Sequence, residues 1–302
     1  MSDRNTNTAS SEFVVWMSTH VAIISLVMFC GVVGNGLVLI IYRRDKKQSG
    51  AIYIIALAVI DLFACVFLLP QIPLFELAMN YQVAHDVIRA EVWFQSLSTL
   101  FVQVTMAMDQ FVAVFYPFKH AKLRGTLNKV MLIAFLAVTS TVTVPLALPQ
   151  LNRPLLPVFV FVFLIGLLVL LTAYPTVALK LYKQRRSVGS HANRNVAREG
   201  QCETAAGPAT EGAANRTAAH AKTAASKRVM HIQALKIYTS IFLVFLIANS
   251  TIIVATTLVS PWVAYGYYIN HTVNPVIYYC FVPKFRNSVK EYWQRLPLRR
   301  FL

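Results

Sequence analysis

Long apolar runs without basic residues limit most strongly what this chain can fold into. A helix that crosses the hydrocarbon core of a bilayer needs about 20 mostly apolar residues. Seven stretches meet that need: Val14–Ile41, Ala51–Phe75, Val92–Pro117, Val130–Pro149, Leu155–Leu179, Ile237–Val259 and Pro261–Pro283. They contain no Lys or Arg, and their acids are Asp61 and Asp109. Membrane-spanning strands would show shorter, alternating segments, so we predict helices.

The charges between these stretches, which we call spans one to seven, give the chain an orientation. The sequence carries 28 Lys and Arg against 12 Asp and Glu, a formal net charge of +16. Most basic residues follow spans one, three, five and seven. Because positively charged joints stay in the cytoplasm, we predict an amino terminus outside the cell and a carboxyl terminus inside it. Anchoring at an anionic leaflet accounts for the charge, so we expect no nucleic-acid partner.

Termini on opposite sides of the bilayer require an odd number of crossings, in agreement with seven spans. We therefore predict an all-α integral membrane protein with a seven-transmembrane helix bundle at 13–283. An extracellular segment at 1–12 precedes it, and a cytoplasmic amphipathic helix and tail at 284–302 follow it. Within the bundle, a polar cytoplasmic loop at 187–226 is expected to be disordered. Metal-spaced His and Cys clusters and nucleophile–base motifs are not visible in the sequence, so we do not expect an enzyme.

Polar groups inside a membrane are costly and point to function, and here they form ordered motifs. Span one contains Gly34-Asn35, and span two contains Leu57-Ala58-Val59-Ile60-Asp61. Span three carries Asp109-Gln110-Phe111 near its end, and span seven contains Asn274-Pro275-Val276-Ile277-Tyr278. They resemble the GN, LAxxD, D-R-Y and NPxxY motifs of rhodopsin-like (class A) G-protein-coupled receptors. The resemblance implies a plasma-membrane protein with an outward ligand pocket and an inward surface for a heterotrimeric G protein.

The same resemblance implies roles for individual residues. It implies an allosteric sodium ion, and no other cofactor, held near the bundle centre by Asp61, Thr99, Asn270 and Asn274. Oxygen atoms are the ligands that such a hard cation requires. It also implies that a second set of residues rearranges on activation: Asp109, Gln110, Tyr174, Asn274, Pro275 and Tyr278. Proline interrupts the backbone ladder of a helix and so provides a hinge.

Several positions depart from the receptor pattern. The Arg of D-R-Y is Gln110, which can hydrogen-bond but cannot form an ion pair. Span six lacks the C-W-x-P motif, so we expect its helix to be straighter. His271 stands beside the sodium site, where the family has a small polar residue. One hypothesis is that a protonated His271 pairs with Asp61 and substitutes for the ion. The alternative is a neutral His271 that is hydrogen-bonded within the bundle.

The resemblance places a ligand pocket at the outer ends of spans three and seven. Its expected members are Glu76, Val92, Trp93, Ser96, Tyr265 and Tyr268. Val92 stands where amine receptors carry Asp, which argues against an amine ligand. Span seven contains no Lys, so a retinal Schiff base is excluded. The segment Asp61-Leu62-Phe63 resembles the corresponding sequence of invertebrate orphan peptide-receptor-like members, which favours a neuropeptide ligand.

A transporter or channel is the alternative from another class of protein. A polar track through Asp61, Asn270 and His271 favours it. The absence of visible internal repeats and the presence of four receptor motifs argue against it. We therefore interpret the chain as a receptor that converts ligand binding outside the cell into G-protein activation inside it.

Overall fold

The computed structural model describes residues 3–44, 51–68, 81–120, 122, 149–199, 226, 229–250 and 261–295. Every one of these residues is helical except Tyr116 and Val282, where single breaks separate consecutive helical segments. Strands are absent from this part of the chain, which confirms the prediction of an all-α fold. The helices are named below by the predicted span that each contains.

The helices follow the predicted spans, with differences at their ends. The span-one helix is Asp3–Arg44, and the span-two helix is Ala51–Phe63, which continues as a π-helical turn over Ala64–Leu68. The other helices, in chain order, are Tyr81–Phe115 for span three, Pro149–Glu199 for span five, Val229–Ser250 for span six, Pro261–Phe281 for span seven and the terminal helix Pro283–Arg295. Span four, apart from Pro149, lies outside the described residues.

Four of the described segments are long and apolar enough to cross a membrane: Val14–Arg43, Phe94–Phe115, Val160–Gln184 and Val229–Ser250. They belong to spans one, three, five and six. Their outward faces are apolar, with Phe29, Leu168 and Ile247 exposed by 67%, 62% and 65%. Because so much exposed apolar surface is stable against lipid and not against water, the chain is an integral membrane protein.

Four helices, those of spans one, three, five and six, extend beyond the predicted span ends. The described part of span six is already helical at Val229, before the predicted start at Ile237, and Ile232 and Leu235 pack there against an apolar cluster of spans three and five. The span-five helix continues to Glu199, so residues 187–199, which we expected to be disordered, are helical. Extension of an existing helix avoids the cost of nucleating a new one. The rest of that loop, apart from Ser226, lies outside the described residues.

One apolar core cluster joins the described spans. Span one packs on spans two and seven, and span three packs on span five. Each of the six described spans contributes a nearly or wholly buried side chain to the cluster: Val38, Leu57, Met106, Leu170, Phe245 and Tyr278. Polar side chains at the bundle centre are therefore held by a rigid apolar frame.

The predicted amphipathic helix after span seven is confirmed by Pro283–Arg295. Its one buried side chain, Phe285, stacks on Tyr42 with ring centroids 6.0 Å apart. Lys284 and Lys290 are exposed, and Trp293 is 71% exposed. A helix with one apolar anchor, basic residues and an exposed Trp suits the interface between lipid and water.

Close packing of spans one and seven generates a prediction. A Cβ atom on Gly34 would lie 2.9 Å from Pro275 Cγ, whereas one on Gly36 would meet nothing within 4 Å. We expect Gly34→Ala to force the two helices apart at a cost of about 1–3 kcal/mol. Gly36→Ala, the matched control, gains helix preference without a clash. Thermal unfolding in detergent should rank Gly34→Ala below Gly36→Ala, and equal midpoints would contradict this packing.

Candidate functional site

A carboxylate at the centre of the bundle has both of its oxygens engaged. Asp61 of span two is wholly buried, and its Oδ2 accepts a 2.7 Å bond from Asn274 Nδ2. Its Oδ1 lies 3.0 Å from Nδ1 of His271, a side chain that is 2% exposed. A carboxylate withdrawn from water is tolerated only with such partners. This group therefore joins spans two and seven.

The backbone of span seven is tied to span one at the same level. Proline has no N–H, so Pro275 leaves the carbonyl of His271, four positions earlier, without its helical donor. Asn35 Nδ2 donates a 2.8 Å bond to that carbonyl and a 3.0 Å bond to the carbonyl of Gly31 in its own helix. Asn35 thus donates the hydrogen bond that the backbone N–H absent from Pro275 would otherwise make.

Gln95 brings span three into this network. Its Nε2 donates to the carbonyl of Ile60 at 3.2 Å and lies 3.4 Å from His271 Nδ1. When His271 Nδ1 carries the hydrogen that it donates to Asp61, it cannot also accept one from Gln95. The bond of Gln95 to Ile60 therefore links span three to span two.

Sequence analysis missed Gln95, although its spacing could have indicated it. Gln95, Thr99 and Gln103 follow one another at intervals of four residues, which places them on one face of the span-three helix. Each is 1% exposed. This face is turned towards the bundle centre.

The residues expected to hold sodium are partly brought together. Asp61 and Asn274 are in direct contact, and Thr99 and Asn270 are buried, with 1% and 4% exposure. Thr99 Oγ1 and Asn274 Oδ1 have no hydrogen-bond partner among the described residues, and such oxygens would suit a hard cation. The carboxylate also contacts two nitrogen groups, those of His271 and Asn274. The sodium ion stays a prediction.

The two tyrosines expected to act as switches are buried. Tyr278 is wholly buried, and its ring contacts Tyr42 and Phe285 edge-on, with centroids 6.4 and 6.2 Å away. Tyr174 of span five packs on Phe242 of span six, with ring centroids 5.7 Å apart. Neither switch hydroxyl has a hydrogen-bond partner in the described part of the chain. A rearrangement that supplied a partner would therefore stabilise either group.

Asp109 pairs with a histidine that sequence analysis did not single out. His120 Nε2 lies 2.9 Å from Asp109 Oδ1. Residues eleven positions apart would be separated by about 16 Å along a straight helix. The helix instead ends at Phe115, and a new turn from Pro117 brings His120 back towards span three. No spacing rule for a single helix would have found this pair, because it depends on the break at Tyr116.

Gln110, which replaces the Arg of the D-R-Y motif, contacts a second histidine. Its Oε1 lies 3.5 Å from Nδ1 of His231 on span six. The imidazole N–H donates, since an amide oxygen can only accept. Gln110 is 6% exposed. Asp109 and Gln110 mark what we call the inner end of the bundle, which we predict to face the cytoplasm.

Of the residues expected to line the ligand pocket, the structure describes the side chain of Ser96. Ser96 is 5% exposed and lies beside Gln95 on span three. The remaining expected members have side chains outside the described part of the structure: Glu76, Val92, Trp93, Tyr265 and Tyr268. The pocket therefore stays a prediction.

Comparison with known proteins bears on the class of this protein. Residues 26–151 match the family described as serpentine type 7TM GPCR chemoreceptor Srx. The matched segment is less than half of the 302 residues and includes Asn35, Asp61, Asp109 and Gln110. No curated protein matches the chain. The match supports a multi-pass membrane protein of the G-protein-coupled receptor type, whereas the class A peptide-receptor assignment stays a prediction.

The bond between spans one and seven can be tested by removing its donor. Asn35→Ala leaves the carbonyl of His271 without a donor, and interhelical bonds of this kind contribute about 0.6–1.7 kcal/mol in membranes. Asn249→Ala is the matched control, because Asn249 Nδ2 bonds at 2.9 Å to Phe245 O of its own helix. In thermal unfolding we expect Asn35→Ala to be the less stable variant. The reverse order would show that the interhelical bond does not stabilise the bundle.

Proposed function

We propose that this chain is a G-protein-coupled receptor that converts binding of an extracellular ligand into activation of a heterotrimeric G protein. The observation that carries the proposal is the polar network around Pro275, in which Asn35, Asp61, His271 and Asn274 join spans one, two and seven. Its members fall in or beside the motifs that resemble receptor motifs. The family match over residues 26–151, which include Asn35 and Asp61, supports the same class.

A polar network around a proline suits a protein with two arrangements of its helices. The bonds at Asp61 can exchange partners within the bundle, so that no polar atom has to face lipid. Motion of span seven at Pro275 would also move Tyr278, whose hydroxyl lacks a partner in the described residues. Together with Tyr174, Asp109 and Gln110, it would connect the bundle centre to the inner end.

Two observations bear on the ligand, and they favour different classes. The matched family is one of chemoreceptors, which supports a small chemical ligand. The short motifs that resemble peptide receptors support a neuropeptide. We favour the chemical ligand, because the family match spans a long continuous segment. In either case we propose the same pocket: Glu76, Val92, Trp93, Ser96, Tyr265 and Tyr268.

The charge pattern supports a location and an orientation for this receptor. Basic residues follow spans one, three, five and seven, and the terminal helix carries several of them. Positively charged joints remain on the cytoplasmic side. We therefore propose a plasma-membrane receptor with its amino terminus outside the cell and its G-protein surface at the inner end.

A coupling screen tests the receptor proposal directly. We expect the wild type to catalyse ligand-dependent nucleotide exchange on at least one G-protein subtype, measured with panels of small chemicals and peptides. Gln110→Arg, which restores the residue that the receptor motif carries at this position, is screened beside the wild type. Cell-surface amounts measured in parallel separate lost coupling from lost folding. No exchange from either protein with any ligand would refute the function while leaving the fold intact.

A transporter is the second candidate, and one contact favours it. Asp61 and His271 lie 3.0 Å apart inside the bundle, and Asn270 is buried beside His271. Groups that exchange protons at this depth occur in transport paths. Proton flux into liposomes that contain the purified protein, lost in Asp61→Asn, would support this candidate over the receptor.

The contact between Asp61 and His271 predicts how the receptor responds to sodium. We propose that His271 occupies the place of the ion, so the wild type should unfold at the same temperature in sodium and choline chloride. His271→Ser should gain sodium-dependent stability of about 1.4 kcal/mol when sodium is tenfold above its Kd. His20→Ser is the control, because it changes a buried histidine of span one and leaves Asp61 untouched. Equal sodium dependence in the wild type and His271→Ser would reject the substitution.

A further inference from the structure

Three lysines lie at the inner ends of spans three and five. Lys119 follows the break after span three, and Lys180 and Lys183 lie in the last turns of the membrane segment Val160–Gln184 of span five. Side chains three positions apart are neighbours on a helix surface, so Lys180 and Lys183 present their charges together. Lys119 and Lys183 are exposed, and Lys180 is half-buried. We call these three residues the lysine patch.

Two of the lysines lie over aromatic rings that are adjacent in the chain. Lys180 Nζ is 4.9 Å from the ring centroid of Phe115, the last residue of the span-three helix, and Lys119 Nζ is 5.6 Å from that of Tyr116. Such contacts between a cation and a ring are attractive, and they limit where each ammonium group lies. A ring contacts one side of an ammonium group, so the remaining N–H groups stay available to an anion.

The charge of the lysine patch is not balanced by the residues around it. Within the described ranges, no ammonium group of the patch pairs with a carboxylate. Asp109 of span three is engaged instead by His120, at 2.9 Å. Across the whole chain, 28 Lys and Arg face 12 Asp and Glu. A ligand that complements this surface is therefore an anion.

The patch lies where the apolar surface of the two spans ends. The membrane segment of span three ends at Phe115, whose ring packs against the apolar cluster that joins spans three and five. Tyr182, beside Lys183, is 65% exposed, as is typical of an aromatic residue at a membrane surface. Lysine side chains near helix ends extend towards the lipid headgroups. In the proposed orientation these headgroups belong to the cytoplasmic leaflet, which is anionic.

We propose that the lysine patch binds the headgroup of a phosphorylated inositol phospholipid in the cytoplasmic leaflet. A single phosphodiester is too small to contact three ammonium groups on two helical segments, whereas a headgroup with further phosphates can contact several of them. The rings and the apolar cluster beside the lysines suit the acyl chains of a lipid. The bound lipid joins the inner ends of spans three and five. This inference rests on the proposed orientation of the receptor and not on G-protein coupling.

Lipid binding to the purified full-length protein in detergent tests the patch. The probe is a short-chain phosphatidylinositol bisphosphate with a fluorophore on one acyl chain, and fluorescence anisotropy gives its Kd. Lys119→Gln and Lys180→Gln should each weaken binding about fivefold. Lys290→Gln, which removes an exposed lysine of the terminal helix, is the matched control and should bind as the wild type does. Equal weakening in all three variants would show general charge attraction and overturn the site, as would no binding by the wild type.

A variant that keeps every charge tests the geometry of the patch. Phe115→Leu removes the ring under Lys180 and should weaken binding about two- to fivefold. Thermal unfolding without lipid should give similar midpoints for all variants, so that a difference in Kd reports binding. An unchanged Kd for Phe115→Leu would show that the ring does not position Lys180 and would overturn the assigned site.

Two further probes identify the occupant. Inositol trisphosphate lacks acyl chains, and phosphatidylserine lacks the additional phosphates, so each should bind at least about fivefold more weakly. Equal binding of either probe would overturn the assignment to an inositol phospholipid. Nucleotide exchange separates this inference from the proposed function. Lipid binding without exchange would refute coupling and leave the patch standing, whereas exchange without lipid binding would overturn the patch alone.

Discussion

The missing hydrogen bond at Pro275 is the constraint on which the rest of the bundle depends. In lipid, no water is present to donate a hydrogen bond to a backbone carbonyl that lacks its helical donor, so another group of the protein must donate that bond. Asn35 does so at 2.8 Å, and the glycine before it lets the first helix approach Pro275 closely. The carbonyl that Pro275 leaves without a donor in span seven thus accepts the bond from Asn35 that fixes the position of span one.

The hydrogen bonds made by the polar groups differ in length and burial along the bundle. At the centre, Asp61 is wholly buried and held by two side chains from span seven. At the inner end, Gln110 and His231 meet at 3.5 Å and His231 is partly exposed. The contact between Gln110 and His231 is longer than those at Asp61, so it can open while the centre holds the helices together. That distribution is what a receptor of the proposed kind requires.

Much of the architecture could be predicted because the lipid environment simplifies the problem. Span lengths follow from bilayer thickness, and the resemblance of their motifs to receptor motifs implied that Asp61 and Asn274 lie near each other, as they do. The partners Gln95, His120 and His231 were not anticipated. Gln95 could have been found from its four-residue spacing with Thr99. The two histidines could not, because one depends on a break at Tyr116 and the other lies before the predicted start of span six.

The amino-acid sequence by itself determined that the chain is helical and membrane-spanning, since a long apolar segment can satisfy its backbone in lipid only as a helix. It also determined which polar groups lie at membrane depth. Only the tertiary structure decided that His120 pairs with Asp109 and His231 with Gln110, whereas the contact of His271 with Asp61 was already a hypothesis from the sequence. Each pair joins separate helical segments, and the rotation and end point of each helix depend on packing against its neighbours. No local pattern records that information.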